Sequence, residues 1–457
     1  MSDTATASTV GRAGAPTSRR RIPTRYLVLS LIFIITALNY ADRSSLSITG
    51  TSLQADLGFD SVQLGYIFSA FSWAYVVGQL PGGILLDRFG ARRVYALSLA
   101  LWTAVTAAIS LVGLITTPVL VSVAIIFALR LLLGVFESPA FPANARVATA
   151  WFPTAERGRA TAVFNSAQYF ATALFAPLMG WITHEFGWRW VFVLLGVLGL
   201  ALAVIWLRWM DSPRNHPRVT AEELEAISAG GGLVDLDAPK TAEAHQRTRL
   251  DRRTIAQIFS ARPLWGLYLS QYAVNALTYF FITWFPVYLV EGRGLSLLEV
   301  GFVAALPALC GFAGGLAGGF ASDALLRRGH SLTFARKLPS VIGMTLATSI
   351  ALCSTTDSSA LIVAIMTLAF FGKGIGSLGW AITTDLAPPQ ATSFVGSTMN
   401  AFGNIAGIVT PIVIGYTVQA TGSFDVALWF VAAHGALALV GLAVMGTIKR
   451  IRLDEPR

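Results

Sequence analysis

Five charged side chains lie inside long apolar stretches of this sequence. Asp42 and Arg43 are adjacent in NYADRSSLS, Arg130 and Glu137 are seven residues apart in RLLLGVFESPAFP, and Lys373 is in FFGKGIGSLGW. A charge at the centre of a membrane costs at least about 2.5–3.5 kcal/mol, so each is a candidate functional residue. Three cations against two acids leave one positive charge, which indicates a cavity for an anion; arginine suits bidentate carboxylate binding. The alternative is a set of interhelical salt bridges without a ligand.

Hydroxyl, amide and aromatic side chains accompany these charges along the apolar stretches. They are Tyr40, Tyr75, Gln79, Gln168, Ser377, Trp380, Thr384, Asn400 and Asn404. Each one alone is typical of hydrogen bonding between membrane helices. As a set they favour a sugar-like anion, because hydroxyl and amide groups hydrogen-bond polyols.

The glycines around Lys373 also match a nucleotide-binding pattern, since Gly374, Gly376 and Gly379 have the G-x-G-x-x-G spacing. That motif needs a preceding strand and an acid about 20 residues later, and a phosphate loop has Ser or Thr after its lysine. No predicted strand precedes this stretch, no acid follows it at that distance, and the residue after Lys373 is Gly374 rather than Ser or Thr. We therefore expect these glycines to let a membrane helix bend and pack closely.

The composition is that of a polytopic membrane protein. Of the 457 residues, 54% are hydrophobic and 12% are charged, whereas soluble domains carry about 25% charged residues. The net charge of +9 does not indicate nucleic-acid binding, because Lys and Arg concentrate in alternate loops between apolar stretches. Cys310 and Cys353 lie in apolar stretches, so neither a disulfide nor a metal site is predicted.

Apolar stretches of sufficient length predict twelve membrane spans. Their approximate limits are 26–48, 61–86, 93–114, 118–142, 157–183, 188–209, 264–290, 298–321, 337–354, 358–385, 394–419 and 424–447. Basic residues cluster in the N-terminal tail (among them Arg12, Arg19, Arg20 and Arg21), in the loops after spans two, four and eight, and at the C-terminus. The positive-inside rule then predicts that both termini are cytoplasmic.

These spans predict two six-helix bundles joined by a polar linker, with a cytoplasmic tail at each end. The N-terminal tail is 1–25 and the first bundle is 26–209. The linker is 210–262, the second bundle is 263–448 and the C-terminal tail is 449–457. Within the linker a surface helix is expected around Thr220–Ser228, where Thr220 and Glu223 have the spacing of a capping box. Asp235 and Asp237 are expected to lie in a solvated turn rather than in a metal site.

Similar segments in the two bundles indicate an internal repeat. GGILLDRFGARR (82–93) follows span two and GGFASDALLRRG (318–329) follows span eight, and FNSAQYFATALFAPLMG (164–180) is loosely similar to MNAFGNIAGIVTPIVIG (399–415). Repeated halves are the architecture of alternating-access transporters, with the binding site between the halves. The acidic and basic residues of the two loops are candidate gating residues: Asp87, Arg88, Arg92, Asp323 and Arg327.

These segments resemble a known family. GGILLDRFGARR resembles the loop signature of the major facilitator superfamily, and NYADRSSLSI and FFGKGIGSLGWAITTD are similar to the anion:cation symporter family, most closely to its bacterial glucarate/galactarate (sugar diacid) transporters. The resemblance extends from Tyr26 to the last span. It implies an all-α membrane protein of the major facilitator fold, with twelve transmembrane helices as two pseudo-symmetric six-helix bundles. The stretch ATSFVGSTMN departs from the GLSGG-like pattern expected there.

The resemblance also implies proton-coupled uptake and a role for each site residue. Asp42 and Glu137 would carry protons, Arg43 would bind a substrate carboxylate, and Arg130 would be a charge partner that shapes the site. The remaining site residues would contact substrate hydroxyls. They are Tyr40, Tyr75, Gln168, Ser377, Trp380 and Asn400. A diacid has a second carboxylate, and Lys373 in the second bundle is predicted to bind it.

Charge balance favours two coupling protons, because moving a dianion inward against 100 mV costs about 4.6 kcal/mol. We therefore expect a multi-pass protein of the bacterial inner membrane that imports a small organic anion. Protons would be its coupling ion, with no other cofactor. It is expected to act as a monomer in the lipid bilayer without nucleic acid.

Three other functions compete with this interpretation. A hexonate or other organic-acid symporter would use the same fold, and a drug:proton antiporter fits the fold but not the surplus positive charge. A membrane-embedded enzyme is disfavoured because no loop carries a His-plus-acid catalytic pattern. The histidine in a span, His434, is expected to be a packing residue.

Overall fold

The computed structural model describes residues 22–115, 117–236, 252–388 and 391–451. The four named arginines of the N-terminal tail, linker residues 237–251 with Asp237, and the last residues 452–457 lie outside the described residues.

The N-terminal half contains six long or paired helices and one short linker helix. Helices α1 to α7 are Thr24–Leu57, Ser61–Ile109, Val119–Glu137, Ala140–Trp151, Thr154–Phe186, Trp188–Trp209 and Ala221–Ala229. The C-terminal half follows with α8 to α17, which are Arg252–Ser260, Arg262–Thr283, Phe285–Val287, Leu297–Val303, Ala305–Arg327, Leu332–Ala347, Ser359–Gly376, Gly379–Leu386, Thr392–Thr421 and Asp425–Met445. Helix α10 continues as a π-helical turn and α13 as a 3-10 helix.

The predicted twelve spans are confirmed. Eight helical stretches are long and apolar enough to cross a membrane, and α9 with α10, which meet at a bend of 49°, makes a ninth. The remaining three spans are α5 and the two parts of α2, one before and one after Gly90. Helix α2 turns at Gly90, whose φ of 78° is left-handed. Arg189 at the start of α6 binds both Asp56 and the carbonyl of Val112, so α2 returns to the end where it began.

Three spans continue well beyond their predicted ends. The first is predicted to end near residue 48, the fourth near 142 and the eighth near 321, but α1 continues to Leu57, α4 to Trp151 and α12 to Arg327. Hydropathy misses the end of α4 because the segment is amphipathic. Its buried positions have helical spacing and are Ala140, Ala143, Asn144, Val147, Ala148 and Trp151.

The first part of the linker is packed against the N-terminal half. Thr220 caps the predicted linker helix α7 by accepting a hydrogen bond from the Glu223 amide at 3.2 Å. The predicted capping box is wrong in its second half, because the Glu223 carboxylate instead accepts the amide protons of Thr24 (3.1 Å) and Arg25 (3.0 Å). A linker acid therefore caps the N-terminus of α1, a contact that local sequence does not encode.

Asp235 forms an exposed bidentate salt bridge with Arg214, with distances of 2.5 and 2.7 Å. The Arg214 guanidinium lowers the pKa of the Asp235 carboxyl below its ordinary value. Asp235 is thus engaged in an ion pair, as a solvated turn allows. Within the described ranges, no cluster of three or more His, Cys, Asp or Glu side chains could hold a metal ion.

The molecule has two ends, which we name the linker face, where α7 lies, and the opposite face, where α1 ends and α2 begins. The halves meet closely at the opposite face. There the hydroxyls of Tyr66 and Tyr416 are 3.1 Å apart, and the Ser61 amide donates to Gln419 Oε1 at 3.3 Å. A buried hydrophobic cluster joins the halves nearby; its members include Phe68 and Trp284, whose rings are 5.5 Å apart.

Candidate functional site

The centre of the site is an ion pair between α1 and the end of α3. Arg43 Nε donates a hydrogen bond to Glu137 Oε1 at 2.5 Å, and Arg43 Nη2 lies 2.5 Å from the same oxygen. Glu137 is fully buried, its carboxyl group also interacts with the Asn39 side chain, and the Arg43 side chain remains 13% exposed. The pair joins the predicted carboxylate-binding arginine directly to a predicted proton carrier.

Four aromatic rings surround the Arg43 guanidinium. Its central carbon lies 4.7 Å from the ring centroid of Phe71, 4.8 Å from that of Tyr75, 5.2 Å from that of Tyr40 and 5.9 Å from that of Phe141. Cation–π attraction holds the guanidinium in place while leaving its N–H groups for an anion. Tyr40 and Tyr75 were predicted site residues; Phe71 and Phe141 were not, because phenylalanine is common throughout membrane helices.

Asp42 lies behind this ion pair in a buried pocket of the N-terminal half. Asp42 is 1% exposed, and the polar side chains that interact with its carboxyl group are Thr106 and Trp102. Its carboxyl group interacts electrostatically with Glu137 and Arg130. Arg130 is 4% exposed, interacts with Glu137, and its central carbon lies 5.5 Å from the Phe71 ring. The structure thus brings Asp42, Arg43, Arg130 and Glu137 together.

The C-terminal half reaches this site through α9 and α16. Asn400 on α16 donates to Gln79 Oε1 on α2 at 3.4 Å, so this predicted residue does face the other half. The Tyr279 hydroxyl on α9 donates to Asn404 Oδ1 at 2.7 Å, and Tyr279 interacts electrostatically with Arg43. Sequence reasoning missed Tyr279, although its helical spacing from Gln271 and Asn275 on one face of α9 could have indicated it.

Lys373 lies on α14 and is half-buried. Its Nζ is 4.9 Å from the Phe370 ring centroid, and no carboxylate from a described residue forms an ion pair with it. The helix is interrupted between Gly376 and Gly379, as the glycines predicted. Ser377 lies at this interruption, with its hydroxyl bonded to the Lys373 carbonyl at 2.7 Å.

Among the described contacts, none joins the predicted residues Trp380 and Gln168 to the Arg43 centre. Trp380, at the start of α15, is 58% exposed and packs beside Gly396. Gln168 on α5 is half-buried, and next to it Tyr169 contacts Phe312 of the other half with ring centroids 5.1 Å apart.

Two of the predicted gating residues, Arg92 and Asp323, form ion pairs within their own halves. Arg92 binds Asp211 at 2.8 Å and Arg88 lies over the Phe89 ring; the side chain of Asp87 lies outside what the structure describes. In the C-terminal half Asp323 pairs with Arg336 at 3.5 Å, and Arg336 also binds Asp385 at 2.8 Å. Arg327 is exposed at the end of α12.

Two six-helix halves around a buried, charged, aromatic-lined centre define a membrane transporter rather than an enzyme. The family model of the Major Facilitator Superfamily matches residues 32–335. The chain belongs to this superfamily, and it is a multi-pass membrane protein.

Individual relatives cover almost the whole chain. The "Probable galactarate/D-glucarate transporter GudP" of Bacillus subtilis (strain 168) is 52% identical over 437 residues, which are 95% of each chain. The "Probable galactarate/D-glucarate transporter GarP" of Escherichia coli (strain K12) is 49% identical over 96% of this chain and 98% of that one. The crystal structure of a bacterial homologue of the human lysosomal transporter Spinster, inward-facing and unoccupied, has a TM-score of 0.66 at 17% identity, and the match covers 93% of this chain and 95% of that one.

Proposed function

We propose that this protein is a proton-coupled symporter that imports the hexaric diacids galactarate and D-glucarate by alternating access. The observation that carries the proposal is the Arg43–Glu137 ion pair in its aromatic surround. The substrate class is supported by relatives about half identical over nearly the full length, whose names specify these two diacids.

The ion pair supports a simple form of coupling. Glu137 occupies the guanidinium that a substrate carboxylate would need, so the two carboxylates compete for Arg43. A proton on Glu137 would remove its charge and release Arg43 to the substrate. Deprotonation of Glu137 would then restore the ion pair and expel the substrate carboxylate.

Asp42 is the second proposed proton carrier. An ionised carboxylate that is buried without a direct ion pair is costly. Asp42 is 1% exposed, and its hydrogen-bonding neighbours Thr106 and Trp102 are uncharged. A proton on Asp42 removes that cost. Two protons carried with one dianion also cancel its electrical cost, which is about 4.6 kcal/mol against 100 mV.

The second substrate carboxylate is assigned to Lys373, whose ammonium group has no acidic partner in the described chain. The diacid would then extend from Arg43 in one half to Lys373 in the other. The hydroxyls between its carboxylates would contact Tyr40, Tyr75, Gln168, Ser377, Trp380 and Asn400.

We further propose that the linker face is cytoplasmic in the bacterial inner membrane, so that both termini are cytoplasmic. The basic loops support this orientation. The close contacts at the opposite face then correspond to an inward-open state. The gating loops, with Asp87, Arg88, Arg92, Asp323 and Arg327, would close the linker face in the outward-open state. One chain contains both halves of the site, which supports a functional monomer.

Uptake into proteoliposomes tests the coupling. An inward proton gradient should drive accumulation of labelled galactarate, and Asp42→Asn and Glu137→Gln should each abolish accumulation while leaving some exchange of substrate for substrate. Accumulation that ignores the pH gradient, with both variants fully active, would exclude the mechanism. Counterflow with galactarate, D-glucarate and galactonate tests the substrate class, because a galactonate-specific protein would exchange only the monoacid.

A further inference from the structure

Tyr279 connects the two halves at the edge of the Arg43 site. It lies on α9, is half-buried, and its hydroxyl donates to Asn404 Oδ1 on α16 at 2.7 Å. Asn404 in turn donates to the carbonyl of Asn400 at 2.8 Å, and Asn400 bonds to Gln79 of the N-terminal half. The phenol is thus the first member of a hydrogen-bonded path along α16.

A glycine on α16 makes room for the Tyr279 ring. A Cβ added to Gly407 would lie 2.4 Å from Tyr279 Cζ and 2.2 Å from Ser72 Oγ, so the ring and the hydroxyl of the other half meet at this residue. Ser72 Oγ is buried and acts as a hydrogen-bond donor toward the Tyr279 phenol, so one of the two phenol lone pairs remains for a ligand. The ring position is therefore fixed by close packing, next to a polar group from α2.

Tyr279 also lies beside the surround of the substrate arginine. Its ring meets Ser72 of α2, and Ser72 is one helical turn from Tyr75, whose ring centroid is 4.8 Å from the central carbon of the Arg43 guanidinium. A carboxylate held by Arg43 would consequently place its neighbouring carbon and substituents near the phenol.

Donor and acceptor capacity decides which substituent the phenol can bind. A phenol has one donor proton, and Tyr279 gives it to Asn404; the remaining lone pair can only accept. A carboxylate can only accept as well, whereas a hydroxyl group can donate. We infer that Tyr279 accepts a hydrogen bond from the substrate hydroxyl next to the carboxylate bound by Arg43, and thereby selects 2-hydroxy acids.

This inference rests on the proposed function and refines it. The N-terminal half would recognise the carboxylate, and the C-terminal half would recognise the adjacent hydroxyl. A ligand with both groups bridges the halves through Tyr279 and α16, whereas one without the hydroxyl contacts only Arg43 at this end.

The test compares galactarate with its 2,5-dideoxy analogue, which keeps both carboxylates and the two central hydroxyls. Inhibition of labelled galactarate uptake gives an inhibition constant for each. Wild type should bind galactarate more tightly than the analogue, and Tyr279 should supply roughly three- to tenfold of that ratio, the value of one hydrogen bond. Tyr279→Phe should weaken galactarate by that factor, leave the analogue unchanged and so reduce the ratio by the same factor.

Tyr272→Phe is the matched control, since Tyr272 is two turns away on α9 and packs against His434 with ring centroids 5.6 Å apart. It should retain the wild-type ratio. If Tyr279→Phe weakens both ligands equally, or neither, Tyr279 has only a structural role and the inference is wrong. If that variant does not fold, Asn404→Ala replaces it: the phenol then regains a free proton for a carboxylate, and the ratio should fall. Wild type that does not transport galactarate would instead contradict the proposed function.

Discussion

Arg43 shows how one residue combines several requirements of a transport site. A single carboxylate oxygen and four aromatic rings fix its guanidinium, yet part of it remains exposed. Lys373 in the other half has one aromatic neighbour, and no acid from a described residue binds it. In the proposed mechanism Arg43 changes partners and serves coupling, whereas Lys373, which has no acidic partner among the described residues, serves recognition.

Lys373→Asn is expected to separate diacids from monoacids. Loss of a charge-assisted hydrogen bond should reduce galactarate uptake roughly 10- to 100-fold, whereas galactonate, which has one carboxylate for Arg43, should be affected little. Initial uptake rates of both substrates in the same proteoliposomes measure this, and galactonate serves as the internal control. Equal loss of both activities would make Lys373 a structural charge.

At the scale of helices, the opposite face closes through two contacts of the same design. A Cβ on Gly65 of α2 would lie 2.6 Å from the carbonyl oxygen of Pro411 on α16. A Cβ on Gly301 of α11 would lie 2.9 Å from Ala176 O and Pro177 Cα on α5. The first contact joins spans two and eleven, and the second joins spans eight and five. Because facing backbone occupies the space of a side chain, closure requires glycine at both positions.

Gly65→Ala should therefore weaken closure of the opposite face. Overpacking against backbone costs about 1–3 kcal/mol, which would shift molecules toward the state open at that face. Leu114 and Ser359 are exposed on the two halves, and cysteines at these positions can carry spin labels. Distances between the labels, measured by pulsed electron paramagnetic resonance, should show a larger population of long distances. Gly315→Ala is the control, since its Cβ would lie 4.0 Å from the nearest atom, Gly374 O. An unchanged distance distribution in Gly65→Ala would contradict the closure argument.

Docking of the linker on the N-terminal half should depend on pH through His216. Its ring lies between Trp151 and Trp209, its Nδ1 accepts the Arg218 amide at 3.2 Å, and its Nε2 bonds to the Trp209 carbonyl. Burial lowers the pKa of His216 below its ordinary 6.5, with Asp211, Arg218 and Glu223 as the charged groups acting on it. The undocked linker then binds more protons, so docking should weaken as pH falls below about 6.5.

Hydrogen exchange of the α7 amides at pH 7.5 and 5.5, corrected for intrinsic rates, measures this effect. Protection should fall at the lower pH in wild type. His216→Asn should remove the difference, because asparagine can accept the Arg218 amide without titrating. Equal pH dependence in the two proteins would show that His216 does not control docking.

Sequence alone predicted the elements better than their contacts. Charges in apolar stretches located Asp42, Arg43 and Glu137, because an intramembrane charge is rare and visible without a structure. The capping of α1 by Glu223, the ring of Tyr279 beside Gly407 and the amphipathic end of α4 could not be predicted. Each depends on which helices become neighbours, and hydropathy does not contain that information.

For the whole molecule, the structure captures one arrangement of two halves that must move against each other during transport. The halves touch at the opposite face through the hydroxyls of Tyr66 and Tyr416. From there the contacts continue toward the centre, where Gln79 meets Asn400. In the proposed mechanism substrate from that side reaches Arg43 only when these contacts separate, so the face would open once in every cycle.

Linking the halves at this face should stop transport. We expect Tyr66→Cys with Tyr416→Cys, in a chain whose Cys310 and Cys353 are replaced by alanine, to be joined by a short bis-methanethiosulfonate reagent, because the native hydroxyls are 3.1 Å apart. Galactarate uptake should fall to background after linking and recover when a reducing agent opens the linkage. Each single-cysteine variant, treated identically, should stay active. A linked protein that still accumulates galactarate would mean that substrate enters without separation of Tyr66 from Tyr416, and the two-half mechanism would have to be abandoned.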